Sequence, residues 1–164
     1  MVIMCRFALV GILEDIEVKS LEESNKNIDI LLTIDSKPLY AEISRIAKNL
    51  RHPDMKVGTM SSTEQIMQVT NKIFNKVCEQ LSICPGPTLL VICLPDLGAN
   101  EISTRWALED NLKNYPDVGA IIVYCRYLFR FLYWYINNSA KPTKRLDNTH
   151  ISYLEGILGK PTIV

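Results

Sequence analysis

Residues Thr88-Leu89-Leu90-Val91-Ile92-Cys93-Leu94 form a run without a single charge. As an extended strand, such a run has no face that tolerates water. It predicts a central strand covered by helices on both sides, and so an α/β class. The segment ahead of it agrees. Ser61, Ser62 and Thr63 offer an N-cap, and Ser62 with Gln65 fits a capping box. Ile66, Val69, Ile73, Val77 and Leu81 then recur at helical spacing along one face. Pro85-Gly86-Pro87 ends that segment before the apolar strand begins.

The N-terminal part reads as smaller elements. Met4, Phe7, Ala8 and Ile12 predict a helix over 4–13, weakened by Gly11. Residues 16–21 alternate at strand period, and Ile28 to Ile34 is a second aliphatic strand. Asp35-Ser36-Lys37-Pro38 is turn chemistry, and Leu39 to Ser44 returns as a strand, which makes a hairpin. Beyond the central run, 100–115 reads as a helix, 118–125 and 127–136 as strands, and 150–158 as a short helix. The order α-β-β-β-α-β-α-β-β predicts a mixed sheet flanked by helices. Residues 1–164 contain no repeat and no long linker, so a single domain is expected.

Charge narrows the function classes. The chain has 18 basic and 18 acidic residues and a formal net charge of zero. That balance argues against nonspecific nucleic-acid binding but leaves room for a local basic groove. The most basic stretch runs from Arg45 through Lys48, Arg51 and His52 to Lys56. It reads as a solvated loop or as a loop that contacts phosphates. The 5 cysteines, at positions 5, 78, 84, 93 and 125, match no zinc spacing. Buried reduced thiols in a cytoplasmic protein are expected. No secretion signal is expected from the first residues. The apolar stretch 120–135 is interrupted by Arg126 and Arg130, so no membrane span is expected either. There is no Walker A loop, GxGxxG or HExxH, and neither His52 nor His150 has a recognisable nucleophile partner.

Two carboxylates carry the chemistry. Asp29 lies in one strand of the expected hairpin and Glu42 in the other. Side by side on one face, they would repel unless a cation stood between them. A hard divalent ion, Mg²⁺ or Mn²⁺, suits such oxygens, and the Ile43 carbonyl could add a third. The plainer alternatives are that Asp29 caps a turn and that Glu42 pairs with Arg45. Glutamate is disfavoured among Leu39, Tyr40, Ala41 and Ile43, which points to a specific role for Glu42.

With Asn27-Ile28-Asp29 on one strand and Glu42-Ile43-Ser44 on the next, the chain resembles the PD-(D/E)XK nuclease superfamily over roughly residues 5 to 142. That family has an α-β-β-β-α-β core, an Asp at the start of the second core strand and a Glu-x-Lys on the third. The resemblance implies a restriction-endonuclease-like fold. It also implies a metal-dependent phosphodiesterase acting on DNA or RNA, with Asp29, Glu42 and the Ile43 carbonyl as metal ligands. Two departures stand out. Ile28 occupies the place of the family's proline, and Ser44 that of its lysine. A serine cannot supply the missing charge. Lys48 is the first choice for a relocated lysine, beside Arg45, and Lys76 with Gln80 on the long helix is the second. Glu14 or Glu17 could add a further acidic ligand.

Asp29, Glu42, Ser44 and Lys48 are therefore the candidate catalytic residues. The other function class left open is a nuclease-like domain without activity, used for binding or assembly. The aromatic segment 124–135 bears on this second class. Tyr127, Phe129, Phe131, Tyr133 and Tyr135 would share one face of an unbroken strand, either packed under a helix or serving a homodimer or partner protein.

Overall fold

The computed structural model describes residues 30–45, 62–94, 101–125 and 130–164. The first two strands are β1 (Ile30–Ile34) and β2 (Lys37–Arg45). They pair antiparallel around a two-residue turn in which Asp35 and Ser36 both have positive φ, 48° and 65°. This is the turn that matches the right-handed twist of the flanking strands. The helix α1 (Ser62–Glu79) then leads to β3 (Thr88–Leu94), and α2 (Glu101–Asn111) leads to β4 (Ala120–Cys125). After β4 come β5 (Arg130–Ile136), α3 (Asn148–Leu158) and β6 (Thr162–Ile163).

The strands lie in a 6-stranded sheet in chain order. β2, β3 and β4 are mutually parallel, β1 runs against β2, β5 runs against β4, and β6 lies parallel to β5. The sheet is therefore mixed. Both parallel steps advance the same way across the sheet, and a shared crossover hand puts α1 and α2 on one face. There Ile73, Val77, Ala107 and Leu108 pack on Leu90, Ile92, Ile121 and Val123. Leu146 and Leu154 cover the other face, over Leu39, Ala41, Val91 and Ile122. The run Leu89–Cys93 is buried throughout, as a strand between two helical layers must be.

The C-terminal region is fixed by polar contacts. Asp147 caps α3: it accepts from the His150 backbone N–H at 3.0 Å, and His150 Nδ1 accepts from the Asp147 backbone N–H at 3.4 Å. Lys37 adds an ion pair to Asp147 at 2.7 Å, tying the hairpin to that helix. Asn137 is fully buried, and its amide donates to the carbonyls of Leu112, Tyr115 and Val118. A buried amide with this many partners fixes the loop ahead of β4 against the end of β5.

Several expectations change. The helix expected over 100–115 ends at Asn111 and closes in a 3₁₀ turn, Leu112–Asn114. The strand expected from Val118 begins at Ala120. The aromatic stripe is broken: Val123 pairs with Tyr133 but Tyr124 with Phe131, so a bulge at Leu132 interrupts the alternation. Tyr124, Trp134 and Tyr135 are buried in the core, so an outward aromatic interface along 124–135 has no exposed member among the described side chains. Tyr127 and Phe129 lie outside the described residues, as do the helix expected over 4–13 and the strand over 16–21.

Candidate functional site

Glu42 sits in β2, opposite Leu90 of β3. Its neighbours along the strand alternate: Leu39 and Ala41 enter one core layer, while Tyr40 packs with the other. Glu42 and Ser44 therefore face α1, and both are buried, Glu42 with 0% exposure. A carboxylate taken wholly out of water needs a compensating charge and hydrogen bonds.

α1 supplies that charge. Among its described side chains Ile73 and Val77 are buried, and Lys76 lies on the flank beside them, 22% exposed. Its ammonium donates to Glu42 Oε2 at 2.9 Å and to Gln80 Oε1 at 2.6 Å. Gln80 follows Lys76 by one helical turn, so the amide and the ammonium lie on the same side. The result is a carboxylate, an ammonium and an amide in one line between sheet and helix.

The end of α1 is held from below. Lys144 is buried, and its ammonium donates to the carbonyls of Leu81, Ser82 and Cys84. Burial holds the Lys144 pKa below its ordinary value. Cys84 donates its thiol to the Gln80 carbonyl at 3.3 Å. Burial pushes that thiol up to about 11, with the Glu42 carboxylate adding and the Lys144 ammonium opposing. Burial, then the neighbouring Cys84, likewise raises Tyr40. Cys84 is a poor nucleophile in this setting.

The expected site residues divide into those described and those not. Glu42 and Ser44 share the α1 face. Ile43 is half-buried, and its side chain packs in the opposite layer with Leu39 and Ala41. Asp29 and Lys48 lie outside the described residues, as do Glu14 and Glu17. Lys76, the second choice for a relocated lysine, is brought to Glu42. Among the described residues, no group of three His, Cys, Asp or Glu side chains could hold a metal ion.

No family model, curated protein or solved structure matches this chain. Among the described residues, no helix is long and apolar enough to cross a membrane. Cys84 and Cys93 are buried.

Proposed function

We propose that the chain is a divergent nuclease of the PD-(D/E)XK kind, hydrolysing phosphodiester bonds of DNA or RNA, with Lys76 in the role that Ser44 cannot fill. The observation that carries this reading is the 2.9 Å contact between Lys76 and Glu42. It sets a lysine ammonium beside the strand carboxylate although the position two residues after Glu42 is a serine. The order β1, β2, α1, β3 is also the order in which a restriction-endonuclease-like core would end. An antiparallel pair is followed by a crossover helix and a parallel strand.

Asp29 completes the proposed site. Ile30 pairs with Ala41 and Leu31 with Tyr40. Asp29 itself lies outside the described residues, and its part in the site is proposed from its position in the sequence. Asp29, Glu42 and the Ile43 carbonyl would then hold Mg²⁺ or Mn²⁺, a hard-oxygen set suited to such an ion. When bound, the ion would neutralise phosphodiester charge and make a water more acidic. Lys76 orients the Glu42 carboxylate and places a positive charge where the phosphate would gain negative charge. Gln80 holds the ammonium in that position. Ser44 contributes at most a hydrogen bond.

A second reading is favoured by the completeness of the Glu42–Lys76 pair. Glu42 is fully buried and its charge is matched by a side chain, so no cation is needed to balance it. The domain would then be an inactive nuclease-like scaffold for binding or assembly.

The deciding experiment is cleavage of labelled single- and double-stranded DNA and RNA with Mg²⁺ or Mn²⁺. It compares wild type with Asp29→Asn, Glu42→Gln and Lys76→Met, alongside calorimetry of divalent-ion binding. Cleavage by wild type that all three variants lose supports the nuclease. A silent wild type that binds no divalent ion leaves the scaffold.

A further inference from the structure

One helical turn before Lys76, α1 carries a second lysine, Lys72. It is exposed, and it makes no ion pair or hydrogen bond with the described residues. Its place on the helix is set by its neighbours. Ile73 and Val77 are buried against the sheet, Lys76 flanks them on the side that reaches β2, and Lys72 continues that flank outward into solvent. Exposed Phe74 and Met67 lie on the opposite flank. α1 crosses back between parallel strands β2 and β3, so it runs against β2. A step from Lys76 towards the helix N-terminus is therefore a step from Glu42 towards Ser44 and the C-terminal end of β2. In sheets with parallel strands and crossover helices, that end is where ligands bind.

We infer that Lys72 is a substrate-positioning residue which grips the phosphate next to the one attacked, so that the substrate is a nucleic-acid strand with several phosphates rather than a small diester. This rests on the nuclease reading of the Glu42 site. Side chains one turn apart have Cβ atoms about 5–6 Å from each other, and like charges so placed repel. Phosphates on one strand recur every ~3.4 Å of duplex axis, so two such ammonium groups can meet two phosphates of the same strand. The repulsion between Lys72 and Lys76 then becomes useful, because a polyanion laid along the flank relieves it. The two lysines divide the work. Lys76 is fixed by Glu42 and Gln80 at the reacting phosphate, while Lys72 is exposed at the rim and reads only charge.

The test uses the full-length protein and three substrates: a DNA oligonucleotide, an RNA oligonucleotide and bis(4-nitrophenyl) phosphate, which has one phosphate. Lys72→Ala, Lys72→Glu and Lys72→Arg are compared with wild type, after circular dichroism shows that each is folded. Lys72→Ala is expected to raise KM for the oligonucleotide about tenfold at low salt, the loss of one charge-assisted contact, with kcat little changed. Its salt dependence should be shallower by about one phosphate contact. Lys72→Glu should be worse and Lys72→Arg close to wild type, with all four proteins alike on the small diester. The preferred oligonucleotide distinguishes DNA from RNA. An unchanged KM on oligonucleotides, or an equal loss on the small diester, overturns the role of Lys72 and leaves the nuclease standing. A wild type that cleaves none of the three removes the nuclease reading and this inference together.

Discussion

Glu42 Oε2 and Lys76 Nζ lie 2.9 Å apart although 34 residues separate them in the chain. The contact spans two elements, the middle of β2 and the C-terminal half of α1, and it links sheet and helix by an ion pair. Its energetic weight can be measured whether or not the site is catalytic. Lys76→Met keeps the aliphatic stem but removes the ammonium from beside the buried Glu42 carboxylate. It should cost about 3 kcal/mol, the lower end of the range for removing one partner, because Lys76 is itself 22% exposed. The double variant Glu42→Gln/Lys76→Met removes both charges and should recover most of that loss. Urea denaturation of the four proteins gives the coupling. A double variant as unstable as the sum of its parts would show that the pair is not what holds α1 to the sheet.

Much of this fold was legible in the sequence because its signals are local. The run at Thr88–Leu94, the helical spacing of Ile73 and Val77, and the Asp35-Ser36 turn each depend on a few adjacent residues. The partner of Glu42 was not legible in that way. Lys76 looks like any surface lysine on an amphipathic helix, and only the packing of α1 on β2 brings it to Glu42. The signal that was present is the pairing of Lys76 with Gln80 one turn on, at the edge of the apolar face. β6 is a two-residue strand, too short to have a period. The bulge at Leu132 leaves the aromatic alternation of the sequence intact while breaking it in space. The capping box at Asp147 went unread because His150, rather than Glu or Gln, completes it.

The hairpin turn contains a correctable strain. Ser36 has φ 65°, a left-handed conformation in which its Cβ crowds the following carbonyl. Glycine adopts it freely and is favoured at the second position of such turns. Ser36→Gly should therefore stabilise the protein by about 0.5 kcal/mol, the relief being partly offset by the greater freedom of glycine in the unfolded chain. Ser36→Val should destabilise by more than that. Chemical denaturation midpoints check both signs, and a destabilised Ser36→Gly would count against the turn geometry.

Asp147 gives stability a defined pH dependence. The hydrogen bond from Lys37 holds its carboxyl at about 2, below its ordinary 3.8, with the His150 backbone N–H assisting. A depressed carboxyl stabilises the fold above its ordinary value and stops doing so as the pH falls through the folded value. The contribution should be constant from pH 7 to about 5, then fade between about 4 and 2. The Asp147 side chain is 40% exposed, so the ion-pair part is at most about 1 kcal/mol and should weaken in salt. Asp147→Asn keeps the cap but removes the charge. The stability difference between it and wild type, followed by denaturation from pH 7 to about 1, should shrink as the pH passes through about 2 and vanish below it. A difference that stays undiminished below pH 2 would locate its origin in the cap and not in the Lys37 pair.

Two glycines should respond to alanine with opposite signs. A Cβ on Gly119 would fall 2.0 Å from the Lys144 carbonyl oxygen and 2.9 Å from that of Thr88. Both are backbone atoms and neither can swing aside. The site is also clamped, since the Gly119 N–H donates to the Thr88 hydroxyl, which in turn donates to the Asp117 carbonyl. Gly119→Ala must force the start of β4 away from the Pro142–Lys144 turn, with a cost of roughly 3 kcal/mol or more. That movement would also pull Lys144 from the carbonyls of Leu81, Ser82 and Cys84, and so loosen the end of α1 that carries Lys76 and Gln80. Gly156 lies inside α3 with nothing within 4 Å of its missing Cβ. Gly156→Ala should stabilise by about 0.5–1 kcal/mol through helix propensity alone. Thermal unfolding of the two variants under one set of conditions tests the pair. A tolerated Gly119→Ala would mean that the Lys144 turn yields easily, and the support it gives to the Glu42–Lys76 site would then be weaker than its three carbonyl contacts imply.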